Sequence, residues 1–332
     1  MLVAFLFSIF FAYLVDPVVC YTQRWFKGSR GKAIAAVYVA FLLVLVILGF
    51  LVGPRLAAEG EHLAQSLPDM FQKLSSGQIA WSLGRQHGWS YETQLRIQHF
   101  LAEHQNELSN WAKQFATRLV TLVRSSWWLV LIPILGVFFL KDGAKFAEGA
   151  LDLLERRRQR AFLDAVLRDI NVMLAHFIRA QLVLAVLSSI VYTIGLLAMR
   201  LPYAVALGAI GGALEFIPVV GPLTAFLLIV LVALVTGYKH LLLVILFLGI
   251  WRGVQDYVTA PRIMGRQTEL HPLAALFGVL VGAEVGGVIG VYLSIPIMAS
   301  VRIVWRHWRT YMERSQPTIV PPGVSPPAGL SA

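Results

Sequence analysis

Long apolar runs alternate along this chain with shorter polar stretches, and the runs dictate its elements. The first, MLVAFLFSIFFAYLV, ends at Asp16–Pro17. As a helix its fifteen residues reach about 22 Å, short of a roughly 30 Å hydrocarbon core. Either that helix continues to Val19 or the natural start lies upstream. No basic segment precedes the run and no small-residue cleavage site follows it, so it does not read as a signal peptide. AIAAVYVAFLLVLVILGFLVG (33–53) is uncharged and long enough to cross a bilayer. Residues 1–53 therefore predict an N-terminal transmembrane hairpin.

Residues 54–126 are polar and of mixed charge, and predict an extracytoplasmic helical segment. Trp81, Trp89, Trp111 and the Trp127–Trp128 pair suit helices lying on the membrane interface, and a small soluble helical subdomain fits equally well. WWLVLIPILGVFFL (127–140) returns the chain across the membrane, starting a turn earlier near Leu119. Residues 141–180 carry Lys141, Lys145, Arg156, Arg157, Arg158, Arg160, Arg168 and Arg179, the mark of a cytoplasmic segment. Within it Phe162, Val166, Ile170, Met173 and Phe177 recur every three or four residues, which predicts an amphipathic helix. His176 lies beside that stripe with no second ligand at metal spacing and reads as an ordinary helix residue. QLVLAVLSSIVYTIGLLAM (181–199) crosses outward.

Two later apolar segments are broken. Residues 203–236 are divided at Pro218–Val219–Val220–Gly221–Pro222 into halves of about 22 Å, each too short to span comfortably. Pro218 removes a helical donor and Gly221–Pro222 favours a turn. This predicts a re-entrant hairpin dipping in from outside, with a plain proline kink as the alternative. LLLVILFLGIWRGVQDYV (241–258) crosses inward. As a single span, 272–300 would leave Arg302, Arg306, Arg309 and Arg314 outside, against the positive-inside rule. Gly282, Gly286 and Gly287 flank Glu284 near its middle, so a second hairpin, entering from inside, is expected there. Residues 181–307 then form a transmembrane core of two inverted halves, each a span plus a hairpin, a recognised transporter plan. Residues 308–332, rich in proline, glycine and serine, read as a disordered tail.

Composition agrees. Of 332 residues 58% are hydrophobic and 14% charged, against about 25% charged in soluble domains. The net charge of +10 sits in loops between apolar runs, as in TQRWFKGSRGK, which points to membrane topology and not to nucleic acid. Cys20 is the single cysteine, so an intrachain disulfide is excluded. The expectation is an all-α, polytopic integral membrane protein of the cell inner membrane with a cytoplasmic C-terminus. Its small residues and interfacial aromatics leave room for a homo-oligomer.

An ionised side chain at the bilayer centre costs about 2.5–3.5 kcal/mol on insertion scales, so intramembrane acids call for an explanation. Glu215 and Glu284 each lie beside a predicted tip. Facing a shared cavity they would bind protons or cations; otherwise each caps a half-helix or pairs structurally with a nearby amide or base. Arg252 and Asp256 are four apart and can pair on one helical face, as a structural ion pair or a substrate contact, with Gln255 and Tyr257 as polar neighbours. The candidate pathway is thus Glu215, Pro218, Gly221 and Pro222 at one tip, Glu284, Gly286 and Gly287 at the other, and Arg252, Gln255 and Asp256 beside them. GVLVGAEVGGVIG lacks the strand–helix setting of a dinucleotide loop, and there is no Walker loop, nucleophile elbow or zinc motif. The chain is therefore expected to be no enzyme, with no cofactor and no metal.

AYLVDPVV (12–19), LPYAVALGAIGGALEFIPVVGPLTAF (201–226) and VQDYVTAPRIMGRQTELHPLAALFGVLVGAEVGGVIGVYLSIPIMA (254–299) together resemble the autoinducer-2 exporter family of bacterial inner-membrane permeases (PerM-type). The resemblance runs to about His307. It implies a permease exporting a small polar metabolite, autoinducer-2-like, with quorum sensing as its setting. Other relatives are linked to sodium/proton exchange, so an antiporter of protons against a monovalent cation is the alternative. A non-transporting scaffold ranks third. Relatives usually have one more apolar segment before the AYLVDP helix, and often asparagine or another residue where Glu215 stands.

Overall fold

In the computed structural model, which describes residues 2–75, 90–103, 130–152, 156–264 and 272–313 with positions 107, 110 and 154, the first apolar run does not stop at Asp16–Pro17. Helix α1 spans Leu2–Gln23, 22 residues, with Pro17 inside it. That is about 33 Å of helix, enough to cross a hydrocarbon core. A turn with Lys27 and Gly28 at positive φ leads into α2, Arg30–Ser75. The predicted span and the start of the polar segment are one rod, about 69 Å long. It passes through Gly53–Pro54 unbroken. Between Val39 and Val52 its leucines, valines and isoleucines are exposed on every side, as expected of a helix whose solvent is lipid.

The polar helix α3 spans Tyr91–Glu103. Helix α4, Leu131–Asp152, packs on α1 and α2 around buried Val19, Ile34 and Leu140. Arg30 fastens this corner, donating to the Leu140 carbonyl at 2.8 Å and pairing with Asp16 at 2.9 Å. The aromatics Trp81, Trp89, Trp111, Trp127 and Trp128, the start near Leu119 and the tail beyond 313 lie outside the described residues.

Helix α5, Arg157–Ala198, joins the basic amphipathic stretch and the following apolar run without a break. Val166, Met173 and Phe177 of the predicted stripe are buried. His176 is exposed, its Nδ1 2.8 Å from the Val172 carbonyl, an ordinary helix residue. A tight reversal at 199–203, with Arg200 and Tyr203 left-handed, delivers α6, Ala204–Leu214. Helix α7, Val220–Val235, returns beside it to complete the first hairpin. The hairpin sits close on α5, since a Cβ at Gly212 would lie 2.4 Å from that of Ser189. Small residues of this kind let membrane helices approach backbone to backbone.

Helix α8, Leu241–Val254, runs through a π-helical turn, Gln255–Thr259, into α9, Ala260–Met264. The last element, α10, is Pro272–Glu313, and it reverses at Gly287, whose φ of 56° and ψ of −138° only glycine adopts at low cost. A Cβ on Gly282 would lie 2.3 Å from the Gly290 carbonyl oxygen. In a straight helix positions eight apart are separated by about 12 Å, so the two limbs of α10 fold back as a second hairpin. The second limb continues as helix well past residue 300, to Glu313.

The hairpins open at opposite ends of α5. Trp308 and Tyr311, on the second hairpin's outgoing limb, pack on Phe162 near the start of α5. Arg306 and His307 of that limb hold Asp169. The first hairpin opens at the other end of α5, where the 199–203 reversal lies. Both tips approach the middle of α5: Gln181 donates to the Glu215 carbonyl, while Phe177 packs against Tyr292 in a cluster that includes Phe216. Among the described residues five helices are long and apolar enough to cross a membrane, two shorter apolar helices form the first hairpin, and no strand occurs. The protein is an all-helical, multi-pass membrane protein with two broken helical hairpins.

Candidate functional site

The first hairpin breaks at 215–219, about three residues before the expected 218–222, because Val220, Gly221 and Pro222 already form the first turn of α7, and the break gathers polar atoms. Glu215 closes α6, its backbone N–H still bonded to the Gly211 carbonyl at 3.2 Å. Val219 then takes a φ of 66° and ψ of −56°, which a β-branched residue adopts only under strain. Gly221 lets α7 start against α6: a Cβ there would lie 1.8 Å from the Leu214 carbonyl oxygen. Pro218 and Pro222 flank this corner, where missing N–H groups cost least.

The Glu215 side chain points inward and is 4% exposed. Its Oε1 accepts from Gln255 Nε2 at 2.7 Å, and the same amide nitrogen donates to Ser188 Oγ at 2.8 Å. Both amide protons of Gln255 are thus used, tying the π turn to α5 and to the hairpin tip. The π turn is where α8 gains an extra residue, and such insertions recur at functional positions because they re-aim side chains inward. Arg252, one turn earlier, reaches Glu215 Oε1 at 3.3 Å and pairs with Asp256 at 2.5 Å. This guanidinium bridges a buried acid and a half-exposed one.

Several polar atoms in this region remain unpaired. Glu215 Oε2, Gln255 Oε1 and Trp251 Nε1 are buried and have no hydrogen-bond partner among the described residues. Trp251 and Gln255 lie one helical turn apart. Leaving a polar group buried and unpaired costs about 1–3 kcal/mol each, so these three atoms mark this part of the fold as energetically unfinished.

The sequence reading placed Glu215, Gln255, Arg252 and Asp256 on the candidate pathway, and here they form one hydrogen-bonded group. Glu284 is not joined to it: its side chain is exposed and has no hydrogen-bond or ion-pair partner among the described residues. Gly286 and Gly287 form the second tip, but no hydrogen bond links them to the Glu215 group. Tyr257 is 86% exposed and points away. Gln181 and Ser188 were missed. Their signal was present in the sequence as two polar residues seven apart in an otherwise apolar run, hence on one face of α5. Glu59 was missed as well. It reaches from the distal half of α2 to accept from the backbone N–H groups of Val205 and Ala206 at 2.9 and 3.1 Å, capping the first hairpin where it opens.

Comparison with known proteins places this architecture. The sequence profile described as AI-2E family transporter matches residues 1–310, so the chain belongs to that family. It is 24% identical to YrrI of Bacillus subtilis strain 168, named a "putative transport protein", over 91% of this chain and 84% of the relative. It is 27% identical to the similarly named sll0063 of Synechocystis, over 89% of this chain and 76% of the relative. A third relative, named sodium-lithium/proton antiporter in Halobacillus andaensis, is 23% identical over 85% of this chain and 83% of its own length.

Proposed function

We propose that this AI-2E family membrane transporter is a secondary exporter of a small, polar, hydroxyl-bearing metabolite, autoinducer-2-like, bound at the tip of the first hairpin. The observation that carries the reading is the buried group at Glu215, with Oε2 of Glu215, Oε1 of Gln255 and the Trp251 N–H unpaired. Hydroxyls of a neutral solute would donate to the two oxygens, and a carbonyl or ether oxygen would accept from the indole. Each such bond relieves a desolvation cost already present in the protein, so a modest solute could bind with useful affinity. Arg252 and Asp256, half-exposed beside the group, would supply its wet side. The two hairpins open at opposite ends of α5 while their tips approach its middle, an arrangement suited to exposing one site alternately to two sides. With the basic stretches of 141–180 and 302–309 in the cytoplasm, the second hairpin would open inward, the first outward, and the C-terminus would lie on the cytoplasmic side of the cell inner membrane.

The test is uptake of labelled autoinducer-2 into everted vesicles carrying the protein. Accumulation that Glu215→Leu abolishes, with the variant still inserted, is the expected result. No accumulation above empty vesicles would remove this cargo class.

One observation favours a second reading, cation/proton antiport. Glu215 and Asp256 share a single guanidinium, Arg252. If both acids are ionised the trio carries one negative charge, which a proton or a monovalent cation would neutralise in turn. Collapse of a pH gradient in proteoliposomes on adding sodium, lost in Glu215→Gln, would put this reading first.

A further inference from the structure

Away from the polar group, a groove of about 760 Å³ runs between α1, α5 and the outgoing limb of the second hairpin. Leu6, Phe10, Leu174, Ile297 and Val304 line it, with Trp305 and Trp308 at one end. Its one hydroxyl, on Ser300, is turned back to the Pro296 carbonyl at 2.8 Å, so the floor offers a solute no hydrogen bond. That chemistry does not fit the polar cargo proposed above. It fits a hydrocarbon chain. From Leu293 to Trp305 the limb rises about 18 Å, close to the roughly 15 Å of one leaflet's hydrocarbon.

The tryptophan end identifies the head of the occupant. Indoles settle at the membrane interface, where acyl chain gives way to headgroup. Arg302 lies three residues before Trp305 and Arg309 four after it, so one helical face presents both guanidiniums beside the indole. Arg309 pairs with Glu313, but both side chains are largely exposed, at 76% and 64%, and an exposed pair of this kind yields readily to a competing anion. Arg158, stacked at 4.5 Å over Tyr311, adds a further positive charge to the same end of α5 and α10.

We propose that this groove is a site for an anionic phospholipid of the surrounding bilayer, with one acyl chain along Leu293–Val304 and the phosphate at Arg302 and Arg309. Lipid held here would brace the outgoing limb of the second hairpin against α1 and α5, and so bear on how freely that hairpin moves.

Photo-crosslinking tests the site directly. Purified full-length protein is reconstituted in vesicles doped with phosphatidylglycerol bearing a diazirine on one acyl chain, and adducts are mapped. Adducts concentrated on residues 293–308 and cut at least threefold in the Arg302→Gln/Arg309→Gln double variant are expected. The same probe on a phosphatidylcholine head should label the groove at least threefold less. Labelling spread evenly over the exposed residues of α2, or equal for the two heads, would overturn the proposal. So would disulfide-linked dimers at high yield from Ile297→Cys in the Cys20→Ser background, which would make the occupant a second copy. Arg302 and Arg309 are exposed, and each also has a contact within the protein, so a thermal melt of the double variant in detergent, expected unchanged, separates loss of the site from loss of fold. Inorganic phosphate at millimolar concentration should not compete, which separates lipid from a free anion.

Discussion

Gln255 Nε2 donates to Glu215 Oε1 at 2.7 Å, across forty positions of sequence. The contact joins the break in one membrane segment to the π turn in the next. It makes the buried acid part of a network that also reaches Ser188 on α5. Glu215→Gln keeps an acceptor for Gln255 and removes only the charge, whereas Glu215→Leu removes both. For a neutral cargo the first variant should keep flux within about threefold, and the second should lose about tenfold or more, the equivalent of one or two buried hydrogen bonds. Flux of labelled solute in the two variants, side by side, checks this; loss in both with proton exchange also lost would instead favour antiport.

Val219, at the tip of the first hairpin, holds a positive φ that its branched side chain resists. Strain of this kind is worth about 1–3 kcal/mol, against roughly 0.5–1 kcal/mol for the extra chain entropy of glycine. Val219→Gly should therefore raise the thermal midpoint of the purified protein, and Val219→Ile should leave it unchanged. A lowered midpoint for the glycine variant would mean that the side chain's packing outweighs the strain.

The backbones of Gly282 and Gly290 touch, closing the second hairpin. Gly282→Leu should force the limbs apart, at a cost of about 1–3 kcal/mol or more for overpacking. Double electron–electron resonance between labels at Leu276 and Val301, which are exposed on the two limbs, should show a longer and broader distance distribution than in the parent. An unchanged distribution would show that the limbs accommodate the side chain elsewhere.

Glu59 caps the N-terminal end of α6 from the distal half of α2. Leu63 and Met70 of the same helix are buried in the cluster that packs the hairpin, alongside Leu207 and Ile229. Glu59→Ala should cost about 0.5–2 kcal/mol, as for other lost caps, and speed hydrogen exchange at Val205 and Ala206 specifically. Glu59→Gln should recover part of the protection, since its carbonyl oxygen still accepts.

Hydropathy and charge alone determined the class of this protein. Apolar runs too long for a soluble core, basic residues falling mostly in the stretches between them, and glycine–proline interruptions in two segments were enough to predict helices, spans and two hairpins. They sufficed because lipid obliges every backbone polar group to pair within its own helix, which leaves hydropathy and breakers little freedom in meaning. The same signals fail where one helix passes from lipid to water. Gly53–Pro54 and residue 180 read as boundaries, yet α2 and α5 run straight through them, because a helix already formed on one side extends at little cost into the next residues.

The site followed a different rule. That Glu215 would be buried was legible from its place in an apolar run. Its partners were not, because Gln181, Ser188 and Gln255 come from two other helices and meet it only through the close packing that Gly212 and Ser189 permit. Glu284 shows the converse. It occupies a position as apolar and as glycine-rich as that of Glu215, yet among the described residues its side chain ends exposed, with no side chain paired to it. Burial of an acid depends on which surface its helix presents to its neighbours, and only the tertiary structure decides that.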